Sequence, residues 1–402
     1  MDSKLSTDSL YLLHLVSCAL RDATPSALPQ DTSWDVVFRL AERNSVTTTC
    51  AFAVAKVPGT TDKERSRWQS KVDSNLMRHA IFDMERERIY EKMDAAGLAH
   101  ASLKGILTSQ AYPRPEMRWM CDNDFLFGKP QPDGTVKAAS DEDARELRRI
   151  MEHLGYKTEA FGTGNHDSYQ KPPFLNIEPH RRLASPEVDW WQYYANPWAH
   201  ARKTSNGMET QREFPLEDAY LFHIAHMFKH YSSSGHGVRG LADEWVLMNA
   251  RGPKMDRDYL NTELDKLGMR SFECDLCRVS ESIIGKDACG QALAGNATAI
   301  TQRDGQMLAY MLGSGTYGTL SNNVNNKLAK EAAENGRKGS RARYLLHRAF
   351  PPLSHLAQGY PVLKRAPWLL LGVYAYRLVV KPFTRLSRLR TELMTVAKSD
   401  RK

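Results

Sequence analysis

Hydrophobic positions in the first 95 residues recur at helical intervals. Leu10, Leu13, Val16, Cys18 and Leu20 share one face of an amphipathic helix whose apolar run is interrupted by His14. Trp34, Val37, Phe38 and Leu40 repeat the pattern, with Thr32 or Ser33 placed to cap the first turn. The charged stretch DKERSRWQSKVDSNLMRHAIFDMERERIYEKMDAAG keeps apolar residues at three- and four-residue steps, and Gly97 supplies its stop. Residues 1–96 are therefore expected to be a helical region.

The period changes after Gly97. Ala99 to Leu103 reads as a strand, Lys104-Gly105 as a tight turn opening a short helix, and CDNDFLF as a second strand after a loop at Tyr112 to Glu116. A polar turn follows (Gly128 to Gly134). Ser140-x-x-Asp143 has the form of a capping box for a helix ending near Gly155. Tyr156 to Phe161 is strand-like, His166 falls in a loop, and Phe174 to Ile177 is β-prone. Strand, helix, strand, helix, strand over residues 97–200 predicts an α/β-patterned core. Helical periodicity resumes at Leu216 and defines a third region, residues 201–340, before a tail over 341–402. Within it GSGTYG, from Gly313 to Gly318, has the GxGxxG spacing but follows a helical run rather than a strand. It reads as a flexible loop near substrate, not a dinucleotide fingerprint.

Composition narrows the class. With 402 residues, 42% hydrophobic and 25% charged, the chain has globular values and length for more than one core. Six scattered cysteines imply no disulfide framework, and the single Cys274-x-x-Cys277 pair reads as two positions on one helix face. The apolar run from Trp368 to Tyr376 falls far short of the roughly 20 residues of a membrane span, so a cytoplasmic protein is expected. Charge is unevenly placed. Lys327 to Lys402 holds 17 Lys and Arg against 4 Asp and Glu, a net +13 that leaves −5 of the +8 total for the remainder. That tail suits a polyanionic partner such as RNA, an acidic membrane surface or a phosphorylated substrate; a solvated basic helix is the alternative.

The candidate chemistry lies between Leu103 and Glu178. Residues i and i+2 of a strand share a face, so Asp122 and Asp124 can reach one point. Two hard oxygen ligands beside a glycine turn suit magnesium carrying a triphosphate. A third carboxylate on a neighbouring strand would complete such a site. Glu178 is the natural choice, with His180 at i+2, and Asp189 is the reserve. Arg118 is placed to meet a phosphate or to pair with an acid. His223, His226 and His230 share a helix face, where packing or phosphate contact is favoured over zinc. Lys229 and Arg239 add charge there, and Asp243 is placed to anchor Arg239 or a histidine.

LKGILTSQAYPRPEMRWMCDNDFLF resembles the signature of a bacterial nucleotidyltransferase-like family, roughly LKG…Y…P…R…D-x-D, within the DNA polymerase β type superfamily. The resemblance continues through Glu178 and His180, the His223-x-x-His226-x-x-Lys229-His230 helix, Arg239, Asp243 and SGTYG, and reaches FPPLSHLAQGYPVLKRAPWLL. It implies an α+β fold: a small mixed sheet flanked by helices, between N- and C-terminal helical regions. It also implies two Mg2+ ions on Asp122, Asp124 and Glu178, with the triphosphate over Lys104 and Gly105. Arg118, His180, His226, Lys229, His230 and Arg239 would assist in nucleotide binding. The expected reaction moves NMP from an NTP, expected to be ATP, to a hydroxyl of an unidentified acceptor. Phosphoryl transfer on the same fold, or a degenerate domain binding nucleotide or RNA, are the rival readings. One departure stands out: the superfamily's turn carries Gly-Ser, whereas Ile106 follows Gly105 here. The helix N-terminus would then have to receive the phosphate. Asn123, between the aspartates, should face away from the site.

Overall fold

The computed structural model describes residues 5–205, 207–335, 340–353, 356–357, 360–380 and 386–398. The chain divides into two compact units, Met1–Phe228 with Gly237–Gly313, and Lys229–His236 with Ser314–Lys402.

In the first unit, helices α1 (Thr7–Leu20), α2 (Trp34–Arg43), α3 (Thr47–Val54) and α4 (Asp62–Ala95) precede the sheet. Ser33 caps α2 by accepting from the Val36 N–H, and Thr61 caps α4 by accepting from the Glu64 N–H. α1 is not the amphipathic surface helix expected. Every residue from Tyr11 to Leu20 is buried, because α3 and a short helix at Ala288–Leu293 pack against it. Its polar residues are satisfied inside. The Ser17 hydroxyl donates to the Ile284 carbonyl at 2.6 Å. His14 Nδ1 meets Asp287 at 2.8 Å, while Nε2 accepts from the Ser26 N–H at 3.0 Å. His14, Cys18 and Asp287 thus sit close enough for a metal, but both imidazole nitrogens are already used.

Six strands form one mixed sheet: β1 (Ala99–Ser102), β2 (Asn123–Pro130), β3 (Val136–Ala138), β4 (Lys157–Ala160), β5 (Ser168–Lys171) and β6 (Leu175–His180). Their order is β1-β2-β6-β5-β4, with β3 also on β2, and only the β2–β6 pair is parallel. The architecture is α+β, with a small mixed sheet flanked by helices. Helix α5 (Gly105–Ser109) follows the turn after β1. Helix α6 (Asp141–His153) opens on the capping box of Ser140 and Asp143. β5 arises in a stretch read only as a loop, and β3 follows directly on the polar turn.

Alternation sorts the two sheet faces. Phe125, Phe127, Ile177 and Tyr169 pack with Phe82, Ile89 and Met93 of α4 and with Leu147 and Met151 of α6. Leu126, Ala99 and Ala101 pack the other way, with Leu183, Trp198 and Phe222. Asn123 is on the α4 side as expected, buried and donating to the Phe82 carbonyl at 3.0 Å. Asp124 consequently shares the face of Leu126. Phe222 belongs to α7 (Leu216–Ser233), which a Ser/Gly turn separates from α8 (Arg239–Ala250).

In the second unit, Gly315 to Gly318 form a packed turn after the helix that ends at Ser314. Gly318, at φ +70°, lies so close to Ser234 that a Cβ would sit 2.4 Å from its carbonyl oxygen, and Thr319 N–H donates to that same oxygen at 2.8 Å. Helix α7 crosses the division between the units, so Lys229 and His230 are assigned to the second and His226 to the first. In the tail, Arg348 and Tyr344 each reach Glu392 at 2.8 Å. Arg337, Lys338, Lys381, Arg385, Arg401 and Lys402 lie outside the described residues. No helix of the described residues is long and apolar enough to cross a membrane.

Candidate active site

Parallel pairing of β2 with β6 sets Asp124 opposite Glu178, with Leu126 opposite His180 one step further on. Asp122 immediately precedes β2. Three carboxylates thus come from two adjacent strands on one sheet face. Asp189, the reserve choice, is instead exposed on a loop.

Lys104 closes the group from the β1 side. Its backbone takes φ 46° and ψ −116°, a conformation that favours glycine and that a side chain occupies at a cost of about 1–3 kcal/mol. The strained residue delivers its ammonium to the buried carboxylate: Nζ lies 2.7 Å from Asp124 Oδ1 and 3.2 Å from His180 Nε2. His180 Nε2 is also 2.9 Å from Asp124 Oδ1.

Charge on these groups follows from burial and crowding. Burial and the neighbouring Asp124 push Asp122 up to about 6, against the pull of Lys104, Arg239 and Arg118. Burial, Asp124 and Asp122 push Glu178 up to about 7. Burial opposes ionisation of Asp124 as well, but Lys104 and His180 outweigh it and hold the carboxyl below its usual range. Burial and Lys104 depress His180 to about 4, so the imidazole is neutral. The anionic Asp124 is then the acceptor, and His180 Nε2 carries the proton donated to it.

The turn differs from the expectation in two respects. Ile106 is buried in the core below the sheet and does not stand where a phosphate-touching residue would. The left-handed residue is Lys104 and the first helical residue is Gly105. Moreover α5 spans five residues, too short for its N-terminus to serve as the expected anion site, which leaves Lys104 as the cation at the turn. Gly105 is required by packing, since a Cβ there would lie 2.8 Å from Arg118 Nη1.

Arg118, offered as a phosphate ligand, is a buried structural cation. Its Nε and Nη2 meet Asp243 Oδ1 and Oδ2 at 2.8 and 3.0 Å, and the Tyr112 hydroxyl donates to the same carboxylate at 2.8 Å. Asp243 therefore anchors Arg118 first, with Arg239 Nε only at 4.0 Å. Arg239 Nη1 contacts the Trp119 carbonyl at 3.4 Å, so both arginines act on Asp122 as positive charge behind it. His223 lies within the influence of Asp243, Arg118 and Arg239, and burial depresses it to about 4. Cys277 donates to Glu244 at 3.1 Å, which supports the packing reading of the cysteine pair.

Sequence reasoning missed two features. His166 Nε2 lies 3.4 Å from Glu178 Oε2, and its ring centroid is 4.9 Å from that of His180. The isolated bridge between His166 and His180 makes this contact, and nothing local in the sequence marks it. Beside Lys104 lies a cleft lined among others by Leu107, Tyr193, Tyr194, His200, Asp218 and Phe222.

Two neighbouring-strand carboxylates, a third acid at the strand entrance and a lysine at the preceding turn gather on a small mixed sheet flanked by helices, and that fold fits an α+β nucleotidyltransferase core. The family model described as "Uncharacterised nucleotidyltransferase" matches residues 30–285, and the chain belongs to that family. It is a transferase of phosphorus-containing groups. No curated protein and no solved structure matches the chain.

Proposed function

We propose that the protein is a divalent-metal-dependent nucleotidyltransferase that moves NMP from an NTP, with ATP the expected donor, to a hydroxyl of an acceptor. The observation carrying this reading is the in-register pairing of Asp124 with Glu178 beside Asp122, at the point where Lys104 delivers its ammonium.

The donor set fits hard divalent cations. All three groups offer oxygens, and burial first, then the neighbouring carboxylates, raises Asp122 and Glu178. Asp122, Asp124 and Glu178 would hold Mg2+, with two ions expected. Bound magnesium supplies charge neutralisation at the transferring phosphate and lowers the pKa of a coordinated hydroxyl. The chain's own residues do the rest. Lys104, released from Asp124 as cations enter, is placed to pair with the triphosphate over Gly105. Glu178 is the carboxylate proposed to take the acceptor's proton. The new bond joins acceptor oxygen to the α-phosphorus, the bond to the β-phosphate oxygen breaks, and pyrophosphate leaves. The cleft beside Lys104 offers apolar and aromatic walls for the organic part of a substrate. The net +13 from Lys327 to Lys402 supports contact with a polyanion through the tail.

Incubation with α-labelled NTP, magnesium and an extract as acceptor source should label a product, and Asp122→Ala should abolish labelling. Equal labelling by that variant overturns the assignment; label transferred from the γ rather than the α position would make the enzyme a phosphotransferase.

A further inference from the structure

Glu178 has two sides. Towards β2 it faces Asp124, and towards the chain entering β5 it faces His166. One ligating atom from each of His166, Glu178 and His180 lies within 4.8 Å of the other two. Two imidazoles and a carboxylate form a donor set different in kind from three carboxylates, since nitrogen ligands favour borderline transition cations over magnesium.

His180 makes the stronger observation. It is 4% exposed, and its Nδ1 is buried without a hydrogen-bond partner among the described residues. Because Nε2–H donates to Asp124, Nδ1 bears the lone pair. A metal-bound histidine typically has this arrangement, with one nitrogen donating to a carboxylate that fixes the tautomer and the other presented to the ion.

The segment carrying His166 is held in place rather than left as an open loop. Asp167 N–H donates to the Pro179 carbonyl at 3.0 Å, and Arg181 N–H donates to the Asn165 carbonyl at 2.8 Å. The Arg181 guanidinium then grips the buried Asp167 carboxylate, with Nη2 at 2.8 Å and Nε at 3.1 Å, and reaches Asp141 at 3.0 Å. That carboxylate also accepts from the Gly162 N–H at 2.7 Å. Asn176 Nδ2 donates to Glu178 Oε1 at 3.0 Å, leaving Oε2 as the oxygen nearer His166. The His166 side chain is 40% exposed, which gives an ion a path in from solvent.

We propose that His166, Glu178 and His180 form a further metal site, selective for a borderline divalent cation such as Co2+ or Zn2+ over Mg2+, adjoining the carboxylate site and sharing Glu178 with it. The inference deepens the proposed function by giving the reaction centre two unlike cation sites, and its test has a readout independent of turnover.

Full-length protein in excess Mg2+ is titrated with Co2+, followed by visible absorption and calorimetry. The expected result is a nitrogen-ligand d–d spectrum that Mg2+ does not displace. His166→Gln should weaken that binding by at least the roughly ten- to hundredfold that loss of an orienting partner alone costs at a metal site. Asp122→Asn should retain it. Unchanged Co2+ affinity and spectrum in His166→Gln overturn the proposal, as does Co2+ binding abolished by Asp122→Asn, because the ion would then belong to the carboxylates. Circular dichroism of His166→Gln confirms that a loss is not unfolding. Should Asp122→Ala leave nucleotidyl transfer intact while Co2+ binding depends on His166, the metal site stands and the reading of the reaction falls.

Discussion

Replacing two acids of the proposed metal site should make the protein more stable above neutrality. Asp122→Asn with Glu178→Gln converts each group to a neutral isostere of its protonated form. In the native fold Asp122 titrates at about 6 and Glu178 at about 7, against ordinary values of 3.8 and 4.5. A carboxyl raised on folding binds its proton more tightly in the native state, so stability is fully present below the unfolded value, falls as pH rises from there, and the loss is complete above the folded value. At 1.36 kcal/mol per pKa unit each elevation corresponds to about 3 kcal/mol. Asp122 contributes to the elevation of Glu178 and Asp124 to both, so the two do not simply add, and the double variant is expected to gain about 3–5 kcal/mol at pH 8. Near pH 3, below the ordinary values of 3.8 and 4.5, the acids are protonated in both the folded and the unfolded chain and the gain should nearly vanish. Asp124 has the opposite sign, but its contribution is constant above its unfolded value. Buried Glu244, also raised to about 7, and neutral His100 and His223, depressed to about 4, add slopes of their own. Subtracting the variant's stability from the wild type's at each pH cancels them. The assay is urea unfolding in EDTA from pH 3 to 8, supported by melting temperatures that should differ at pH 8 by on the order of 5–10 °C. Magnesium should close the gap by stabilising only the wild type. A difference independent of pH, or a variant less stable than wild type at pH 8, would refute the account of this site as a store of uncompensated negative charge.

Asp243→Asn leaves the Arg118 guanidinium buried beside a neutral amide, and should cost about 3–5 kcal/mol by urea unfolding; a loss below 1 kcal/mol would show that the pair is not what holds this layer. Lys104→Met removes the cation that competes for Asp124, so magnesium should bind the nucleotide-free variant more tightly in calorimetry while NTP binds more weakly. A parallel change of both affinities in the same direction would contradict the exchange of partners proposed for Lys104. In the second unit, Gly318→Ala forces a Cβ against the Ser234 carbonyl at positive φ and should cost about 1–3 kcal/mol, read as earlier hydrogen exchange in the Leu320–Asn335 helix.

Local pattern was enough for much of the fold and for half of the site. Alternation put Asn123 on the far face from Asp124, because a strand's period of two is a property of the backbone, while Asp122, expected on the face of Asp124, lies just before the strand begins. The Ser140 capping box, the stop at Gly97 and the α2 cap are likewise contacts within three or four residues, whose energetics the neighbouring side chains decide. β5 was hidden because Ser168–Lys171 is short and polar, and it acquires its structure by pairing with β6.

The remainder depends on partners brought from far along the chain. Arg118 could meet phosphate or acid on sequence grounds; the fold delivers Asp243 from 125 residues away, and burial then makes the pair all but obligatory. His14 reads as an interruption in an apolar helix until Asp287 packs beside it. Lys104 looks like a residue next to a turn glycine, yet tertiary structure gives it the left-handed conformation and directs its ammonium to Asp124. His166 joins the site only because a single bridge to His180 folds its loop back over the strand end. Sequence alone thus determined which residues share a face. Only the tertiary structure decided which faces meet, because strand register and buried ion pairs are settled by packing across the whole unit rather than by neighbours along the chain.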